Sequence, residues 1–235
     1  MGLRYAAMTD RGRREENEDA FFAGQMAGYH LFAVADGLGG HASGEVASRM
    51  AIAILEEVAA RGLLEGRPFR VLERAFQRAN DALCVYNREH HLNAATTLSV
   101  AIVNDSGGCW IGTVGDSRTY LITPSTVWHT RDQSYVQSLV DARVLSPAEA
   151  MRHPKKNILT QALGLTSQVE IDLDEQEVGE AVLVLSSDGL HDFVPEGTIQ
   201  DIAIASEPDM ACQELIDTAK DAASTDNITV IVARG

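Results

Sequence analysis

The amino-acid sequence predicts an α+β fold in which two mainly antiparallel β-sheets pack as a central sandwich flanked by α-helices, giving four layers (α-β-β-α). Two apolar, β-rich runs, Thr96–Val103 and Cys109–Val114, are separated only by the polar residues 104–108. A connection this short cannot make a parallel crossover, so the two strands must pair antiparallel. Two long segments, Ser43–Arg61 and Pro68–Asn87, repeat apolar residues at helical spacing, which indicates helices that cover a sheet.

The remaining elements continue this pattern along the chain. Pro124 and Ser125 join Arg118–Thr123 to Thr126–Thr130 in a second hairpin, which again requires antiparallel pairing. No linker divides residues 1–235, so a single domain is expected. Further strands are predicted at Leu3–Thr9, Ala20–Ala23, Leu31–Asp36, Val169–Leu173, Ala181–Ser187 and Ile228–Ala233, and further helices at Asp132–Arg143, Ser146–Met151, Glu196–Ala205 and Asp209–Ala223.

Composition and charge restrict the location and the partners of the protein. Of its 235 residues 45% are hydrophobic, and there is no apolar run of about 18 residues and no export signal, so a cytoplasmic protein without a membrane partner is expected. The net charge of −15 argues against nucleic acid as a partner, because binding nucleic acid depends on lysine and arginine. Three cysteines, odd in number and far apart, predict reduced thiols rather than disulfides.

Acidic residues stand repeatedly at the ends of apolar, β-rich runs. Aspartate is a poor strand former, and a carboxylate at the edge of an apolar sheet is costly unless it is paired or bound to a cation. One such residue is most often a cap or turn acid. Several that converge would repel one another and require cations, and all-oxygen ligands select Mg²⁺ or Mn²⁺ over zinc. The acids concerned are Asp36, Asp116, Asp188 and Asp226, together with the pair Glu18 and Asp19 that opens a strand.

Residues 33–45, AVADGLGGHASGE, carry one of these acids into a glycine-rich segment. A strand is predicted before Asp36 and a helix from Val46 onward, so residues 36–44 are predicted to form the loop between them. Glycines let backbone amides approach a ligand closely, which suits an anion or a metal with anionic ligands. Two alternatives fit the same residues: a tight turn with a solvated Asp36, and a G-x-G-x-x-A dinucleotide fingerprint over residues 37–42. The fingerprint lacks the acidic residue that should end a second parallel strand.

The motifs follow one another in an order that is typical of one family. Residues 14–19, REENED, fit R-x-x-N-E-D, and residues 36–45, DGLGGHASGE, fit D-G-x-G-G-H-x-x-G-E. The runs TTL, GTVGDSR, TRDQS, LTQALG, LSSDGL and DNITVIV follow. Over nearly its whole length the chain resembles the type 2C metal-dependent serine/threonine protein phosphatases, in their compact bacterial form. The resemblance implies hydrolysis of phosphoserine and phosphothreonine in phosphoproteins by a metal-activated water, reversing a serine/threonine kinase.

By this resemblance the protein binds two Mn²⁺ or Mg²⁺ ions tightly and a third more weakly. Arg14 is expected to be a catalytic residue that binds the substrate phosphate, and Glu18 to act through metal-bound water. Residues 134–160 match the flap insertion of the family, which borders the substrate cleft. The expected metal ligands are Asp19, Asp36, the carbonyl of Gly37, Asp188 and Asp226 for the tight pair, and Asp116 for the third ion.

Two positions depart from the pattern of the family. Leu38 stands where the animal enzymes have a His proposed as general acid, which leaves His41 as the candidate catalytic acid or water-orienting group. Gln133 stands where bacterial relatives commonly have His, and glutamine cannot titrate. The alternative function is a catalytically weak sensor or binding module, the same fold with its metals lost, which the intact Asp36, Asp188 and Asp226 disfavour. The expected partners are phosphorylated proteins, including a serine/threonine kinase or its targets, and the chain is expected to be a monomer.

Overall fold

The computed structural model describes residues 2–39 and 42–235, apart from the side chain of Ala42. Within these residues there are twelve strands, seven α-helices and one 3₁₀ turn, Leu63–Glu65. The strands are β1 (Arg4–Asp10), β2 (Ala20–Met26), β3 (Tyr29–Ala35), β4 (Gly37–Leu38), β5 (Ala95–Thr96), β6 (Leu98–Asn104), β7 (Gly108–Val114), β8 (Arg118–Ile122), β9 (Val127–His129), β10 (Asp172–Glu177), β11 (Val182–Ser186) and β12 (Ile228–Arg234). The helices are α1 (Ala42–Gly62), α2 (Pro68–His90), α3 (Tyr135–Asp141), α4 (Pro147–Ala150), α5 (Asp188–His191), α6 (Glu196–Ala205) and α7 (Pro208–Asp221).

Two five-stranded sheets form the centre of the molecule. Their strand orders are β1-β12-β11-β8-β9 and β10-β7-β6-β3-β2, and a two-stranded ladder, β4-β5, accompanies them. Every neighbouring pair is antiparallel, which confirms the predicted α+β fold with two mainly antiparallel sheets. The described residues contain no parallel pair and hence no βαβ unit, so the dinucleotide-binding alternative is wrong.

Side-chain alternation along the strands produces the four layers. Along β3, Phe32 and Val34 pack in a buried cluster between the two sheets, while Leu31 and Ala33 pack towards α1 and α2 on the outer face. The other sheet is covered on its outer face by α6 and α7. Each central strand is therefore apolar on both faces, as successive side chains point to opposite sides of a sheet.

The segment after β3 differs from its prediction. Residues 36–44 are predicted as one loop, but β4 forms inside this segment and pairs with β5. The predicted strand Thr96–Val103 is divided, because the amide of Thr97 donates to the carbonyl oxygen of Asp36, 2.9 Å away. The glycine-rich segment is thus tied into the sheets at the point where its first acid stands.

The predicted strand Val169–Leu173 is displaced, since β10 starts at Asp172. Val169, Ile171 and Leu173 do pack against the core under α1 and α2, so their alternation reflects real burial. The ladder with β7 nevertheless continues through an acidic edge sequence of low β propensity. The four-residue helix α5 was not predicted, because four residues are too few for a helical period.

Residues 134–160, the predicted flap, leave the sandwich after β9, and an antiparallel bridge between Ser134 and Leu159 joins the two ends of this segment to each other. The ammonium of Lys156 lies 2.6 Å from the carboxylate of Asp192, next to α5, and ties the segment to the sandwich. A cavity of about 370 Å³ lies between this segment and the sandwich, and Asp116 is among its lining residues. The segment therefore forms a wall beside one of the predicted metal ligands.

The three cysteines agree with the prediction of reduced thiols. Cys84, Cys109 and Cys212 form no disulfide. Burial raises the pKa of the Cys109 and Cys212 thiols to about 12, so these two side chains act as packing residues. None of the helices in the described ranges combines the length and the apolar character needed to cross a bilayer.

Candidate metal centre

In the β3 sheet, strand register brings two predicted ligands to the same end. Asp19 immediately precedes β2, and Asp36 immediately follows β3. Because Ala20 pairs with Ala35 in an antiparallel ladder, the two aspartates lie opposite each other just beyond it. Their side chains therefore extend from the same edge of the sandwich.

In the other sheet, the register gathers three further acids around the end of β11. Asp188 follows β11, whereas Asp116 and Asp226 precede β8 and β12. Since β8 and β12 both run antiparallel to β11, the start of each lies beside the end of β11. The predicted ligands thus come from three neighbouring strands of one sheet and two of the other.

Asp19 connects the two sheets. Its Oδ2 accepts hydrogen bonds from Ser187 Oγ at 2.8 Å and from Thr229 Oγ1 at 2.6 Å. Ser187 directly follows β11 and Thr229 lies in β12, so both come from the side of the opposite sheet. The Oδ1 of Asp19 is buried and has no hydrogen-bond partner among the described residues. A buried carboxylate oxygen without a partner is costly, so this atom requires a proton or a cation.

We define the acid cluster as Asp19, Asp36, Asp116, Asp188 and Asp226, and burial and mutual repulsion raise the pKa values of several of its members. Burial, followed by the charges of the other four acids, holds the pKa of Asp36 well above its usual range. Burial and then Asp116 and Asp226 do the same to the pKa of Asp188. Burial, with Asp132 and Asp192, raises the pKa of Asp116 to about 7. The raised pKa values mean that a proton or a bound cation would stabilise these acids.

The donor set fits hard divalent cations. Within the described residues no three Asp, Glu, His or Cys side chains are already gathered closely enough to hold a metal. The atoms that demand a positive charge are nevertheless present, since Asp188 Oδ1 is buried and unpartnered like Asp19 Oδ1. Carboxylate and carbonyl oxygens are the donors that Mn²⁺ and Mg²⁺ prefer. Asp36 is half-buried and stands between β3 and β4, with its amide and carbonyl bonded to Thr97, so it does not lie in a solvated tight turn.

Two glycines allow the start of α1 to pack against the strand ends. A Cβ at Gly37 would lie 2.3 Å from the carbonyl oxygen of Gly44, and a Cβ at Gly44 would lie 2.4 Å from Glu18 Oε2. The amide of Gly37 and the hydroxyl of Ser48 both donate to the carbonyl of Glu18, at 3.2 and 2.5 Å. Side chains at the two glycines would therefore push the loop away from Glu18 and the acid cluster.

Arg14 lies directly against the acid cluster. One terminal nitrogen donates to Asp226 Oδ2 at 2.7 Å, and Nε donates to the carbonyl of Thr225 at 3.2 Å. The side chain is 55% exposed, so the guanidinium also faces solvent. Arg14 thus lies beside the predicted metal ligand Asp226. Because it contacts Asp226 Oδ2, its guanidinium would compete with a metal ion for that oxygen.

Gln133 has a structural function that the sequence did not indicate. Its Oε1 accepts a hydrogen bond from the amide of Gly115 at 2.9 Å, next to Asp116. Its Nε2 donates to Asp172 Oδ2 at 3.0 Å and to the carbonyl of Glu170 at 3.2 Å. Gln133 is buried and therefore ties the loop that carries Asp116 to the segment leading into β10.

Asn227 is a second positioning residue that sequence reasoning missed. Its Oδ1 accepts from the amide of Glu18 at 2.9 Å, and its Nδ2 donates to the carbonyls of Arg11 and Glu16, each at 2.9 Å. One amide side chain thus holds the Arg14 loop and Glu18 beside Asp226. The only signal was the dipeptide Asp226-Asn227 before an apolar strand, which does not reveal a distant partner.

The histidines contribute little to the described part of the site. His41, the predicted acid or water-orienting residue, lies outside the described residues. His191 is buried with Nδ1 2.9 Å from Ser186 Oγ, and burial holds its pKa well below the usual range. His191 is therefore a core histidine.

Chelated protein is expected to become less stable as the pH rises through the ionisation of the acid cluster. Burial, with smaller contributions from Asp226 and Glu18, raises the pKa of Asp19 from 3.8 to about 6. The folded state therefore binds more protons than the unfolded chain, and this contribution to stability is lost between about pH 4 and pH 6. Calorimetry should show Mn²⁺ raising Tm by several degrees at about pH 7.5 and by less at about pH 5. An equal shift at both pH values would contradict this account of the cluster.

Comparison with known proteins gives consistent matches along the chain. A sequence profile described as Protein phosphatase 2C matches residues 9–217. Serine/threonine protein phosphatase PstP of Mycobacterium tuberculosis is 36% identical over 239 residues, which cover 98% of this chain but 45% of PstP. Serine/threonine phosphatase stp of Listeria welshimeri is 35% identical over 238 residues, which cover 95% of this chain and 92% of that protein. The chain thus spans less than half the length of PstP and nearly all of stp.

A solved structure of a serine/threonine phosphatase is also similar to this chain in three dimensions. The crystal structure of the catalytic domain of PstP in complex with 2 manganese ions superposes with a TM-score of 0.88 at 34% identity. The match covers 99% of this chain and 97% of that one.

Proposed function

This chain belongs to the protein phosphatase 2C family, and on that premise we propose that it hydrolyses phosphoserine and phosphothreonine in phosphoproteins. The observation that carries the proposal is the pair of buried, unpartnered carboxylate oxygens of Asp19 and Asp188 at one end of the sandwich. Such a site stabilises bound cations strongly. In a chain of net charge −15, bound cations are what would attract a negatively charged phosphate.

The acid cluster would hold two Mn²⁺ or Mg²⁺ ions, with Asp19, Asp36, the carbonyl of Gly37, Asp188 and Asp226 as ligands. Such a pair, when bound, supplies an activated water and stabilises the charge on the phosphoryl oxygens. Ser187 and Thr229 orient Asp19 through its Oδ2 and leave Oδ1 for the cation. Arg14 binds two oxygens of the phosphate through its planar fork and orients the phosphorus towards the cluster. No protein nucleophile is required.

The proposal extends to partners and location. The substrates are phosphorylated proteins, among them a serine/threonine kinase or the targets of one. We also propose that the chain acts as a monomer and that it lies in the cytoplasm. Its three free cysteines support only the location, because thiols persist in reducing compartments. Residues 134–160 act as the flap, since they form one wall of the cavity beside Asp116.

The test is hydrolysis of p-nitrophenyl phosphate and of a phosphothreonine peptide, with Mn²⁺ and with a chelator. We expect turnover only when Mn²⁺ or Mg²⁺ is present. Turnover that survives chelation would contradict the metal-dependent mechanism. Metal binding without any turnover would instead favour the sensor or binding module.

Asp116 is proposed to bind a third, weaker ion, because its loop meets Asp188 at the end of β11, where, after burial, Asp116 raises the pKa of Asp188 and both acids raise the pKa of Asp36. Asp116→Ala is then expected to leave two bound ions and to lower kcat at saturating substrate by about tenfold, or about 1.4 kcal/mol. Calorimetric titration with Mn²⁺ should lose only the weakest binding event. Asp201→Ala, an exposed acid on α6, is the control and should change neither quantity. A third ion that binds Asp116→Ala as it binds wild type would defeat the assignment.

A further inference from the structure

A groove on the outer face of α1 and α2 carries an arginine cluster in an otherwise acidic protein. Its volume is about 710 Å³, and its lining includes five of the nineteen lysine and arginine residues of the chain. Against three glutamates, the five arginines give the groove a net charge of +2, whereas the whole chain carries −15. The arginines are Arg61, Arg67, Arg70, Arg74 and Arg78.

Most of these guanidinium groups have no anionic partner. Arg78 pairs with both carboxylate oxygens of Glu57, at 3.2 and 3.1 Å. Among the residues that the structure describes, the other four arginines form no ion pair within 4.0 Å. Arg61 and Arg74 nevertheless lie close enough to Glu57 to contribute, after Arg78, to the lowering of its pKa. The groove thus concentrates positive charge that the chain itself does not neutralise.

The arrangement of the arginines is linear. Arg70, Arg74 and Arg78 recur at intervals of four and so share one face of α2, and Arg67 stands at the N-cap of this helix, three residues before Arg70. At 1.5 Å per residue this row is about 16 Å long. The floor between the helices is apolar, with buried Val58 and Val71 and half-buried Ile171. A single phosphate would reach one or two of the arginines, whereas an extended peptide of about five residues, at about 3.3 Å each, would follow the whole row.

We propose that this arginine groove is a docking site for an acidic peptide segment of a phosphoprotein substrate. Aspartate and glutamate carboxylates match the bidentate geometry of arginine, and apolar residues between them can contact the floor. The proposal rests on the proposed phosphatase function only in naming the partner as a substrate.

The position of the groove determines where the acidic segment must lie in the substrate. The start of α1 packs at Gly44 against Glu18 and Gly37, which adjoin the acid cluster, and the groove is lined by the far end of α1, including Arg61. Gly44 and Arg61 are about 26 Å apart along the helix axis. An extended chain spans this distance with about eight residues, so the acidic segment should lie at least that far from the phosphorylated residue.

The first test is binding of a fluorescent hexaglutamate peptide to the Mn²⁺-loaded chain, measured by anisotropy. We expect binding that weakens at high salt, a hexaglutamine peptide that does not bind, and at least a tenfold weaker Kd for Arg74→Glu. Arg88→Glu is the matched control, because it makes the same charge change at an exposed site on α2 outside the groove. Equal weakening by both variants would overturn the proposal, because it would indicate a response to net charge alone. Pyrophosphate that competes as strongly as hexaglutamate would also overturn it, since a small-anion site would then be present.

The second test uses a phosphothreonine peptide with an acidic segment about ten residues away and a matched peptide with glutamines there. The acidic peptide should have a KM at least tenfold lower, and Arg74→Glu should abolish this difference without changing turnover of p-nitrophenyl phosphate. Equal KM values for the two peptides in wild type would overturn the docking role. If no variant turns over any substrate, the proposed function fails, while the anisotropy experiment still decides the groove. Sedimentation that shows self-association lost in Arg74→Glu would identify the occupant as a second copy and also overturn the proposal.

Discussion

Replacing Asp36 by Asn is expected to lower kcat by about 10³-fold or more, because the activated water is lost with the metal pair. The substitution keeps the size of the side chain and removes one charge from the acid cluster. Asp226→Asn should have the same effect. Steady-state kinetics in saturating Mn²⁺, together with calorimetric titration, should show the tight metal sites and the activity disappearing together.

The same variant has a second readout that does not depend on activity. Burial and four neighbouring acids hold the pKa of Asp36 well above its usual range, so this carboxylate destabilises the chelated protein at neutral pH. Asp36→Asn should therefore raise Tm in the presence of chelator and abolish the increase that Mn²⁺ causes. Asp201→Asn, on the exposed side of α6, should leave both unchanged. Wild-type turnover by either Asp36→Asn or Asp226→Asn would show that the carboxylate concerned is not a ligand.

Arg14→Ala is expected to raise KM for a phosphopeptide by about 10- to 150-fold, which corresponds to a charge-assisted contact of roughly 1.5 to 3 kcal/mol. Because the phosphate dianion is present in both substrate and transition state, most of this interaction is uniform binding, and kcat should fall less. The structure adds an expectation about metal affinity. Arg14 occupies Asp226 Oδ2, at 2.7 Å, so its removal should not weaken Mn²⁺ binding.

Arg13→Ala is the matched control for this prediction, because Arg13 is an exposed arginine on the same loop. It should change KM little. Kinetics in which Arg13→Ala is the damaging change would show that the wrong arginine was chosen. A collapse of Mn²⁺ affinity in Arg14→Ala with unchanged KM would show that Arg14 supports the metal site instead of the phosphate.

The sequence predicted the fold well wherever apolar periodicity was regular. α6 matches its prediction at both ends, and the two hairpins around residues 104–108 and 124–125 are present. Prediction failed where tertiary contacts decided the local structure. Thr97 interrupts its strand to bond Asp36, and β10 pairs through acidic residues whose intrinsic preference is against a strand.

The candidate site shows the same contrast between what sequence patterns predict and what tertiary contacts decide. The acids could be found because a carboxylate at the end of an apolar run is unusual in a sequence. The polar side chains that orient them could not be found in this way. Ser187, Thr229 and Asn227 act through hydrogen bonds to residues about 170 or more positions distant, and sequence spacing carries no information about such partners.

Gln133 holds the loop before Asp116 through hydrogen bonds of a side chain that does not titrate. The histidine that the family resemblance leads one to expect there would change its charge near neutral pH. An amide keeps the same donor and acceptor at every physiological pH, so the loop before Asp116 stays attached to the segment of Glu170 and Asp172 when the surrounding medium acidifies. Position 133 therefore adds no titrating group beside Asp116, and the protonation of this corner of the site depends on carboxylates such as Asp116 itself.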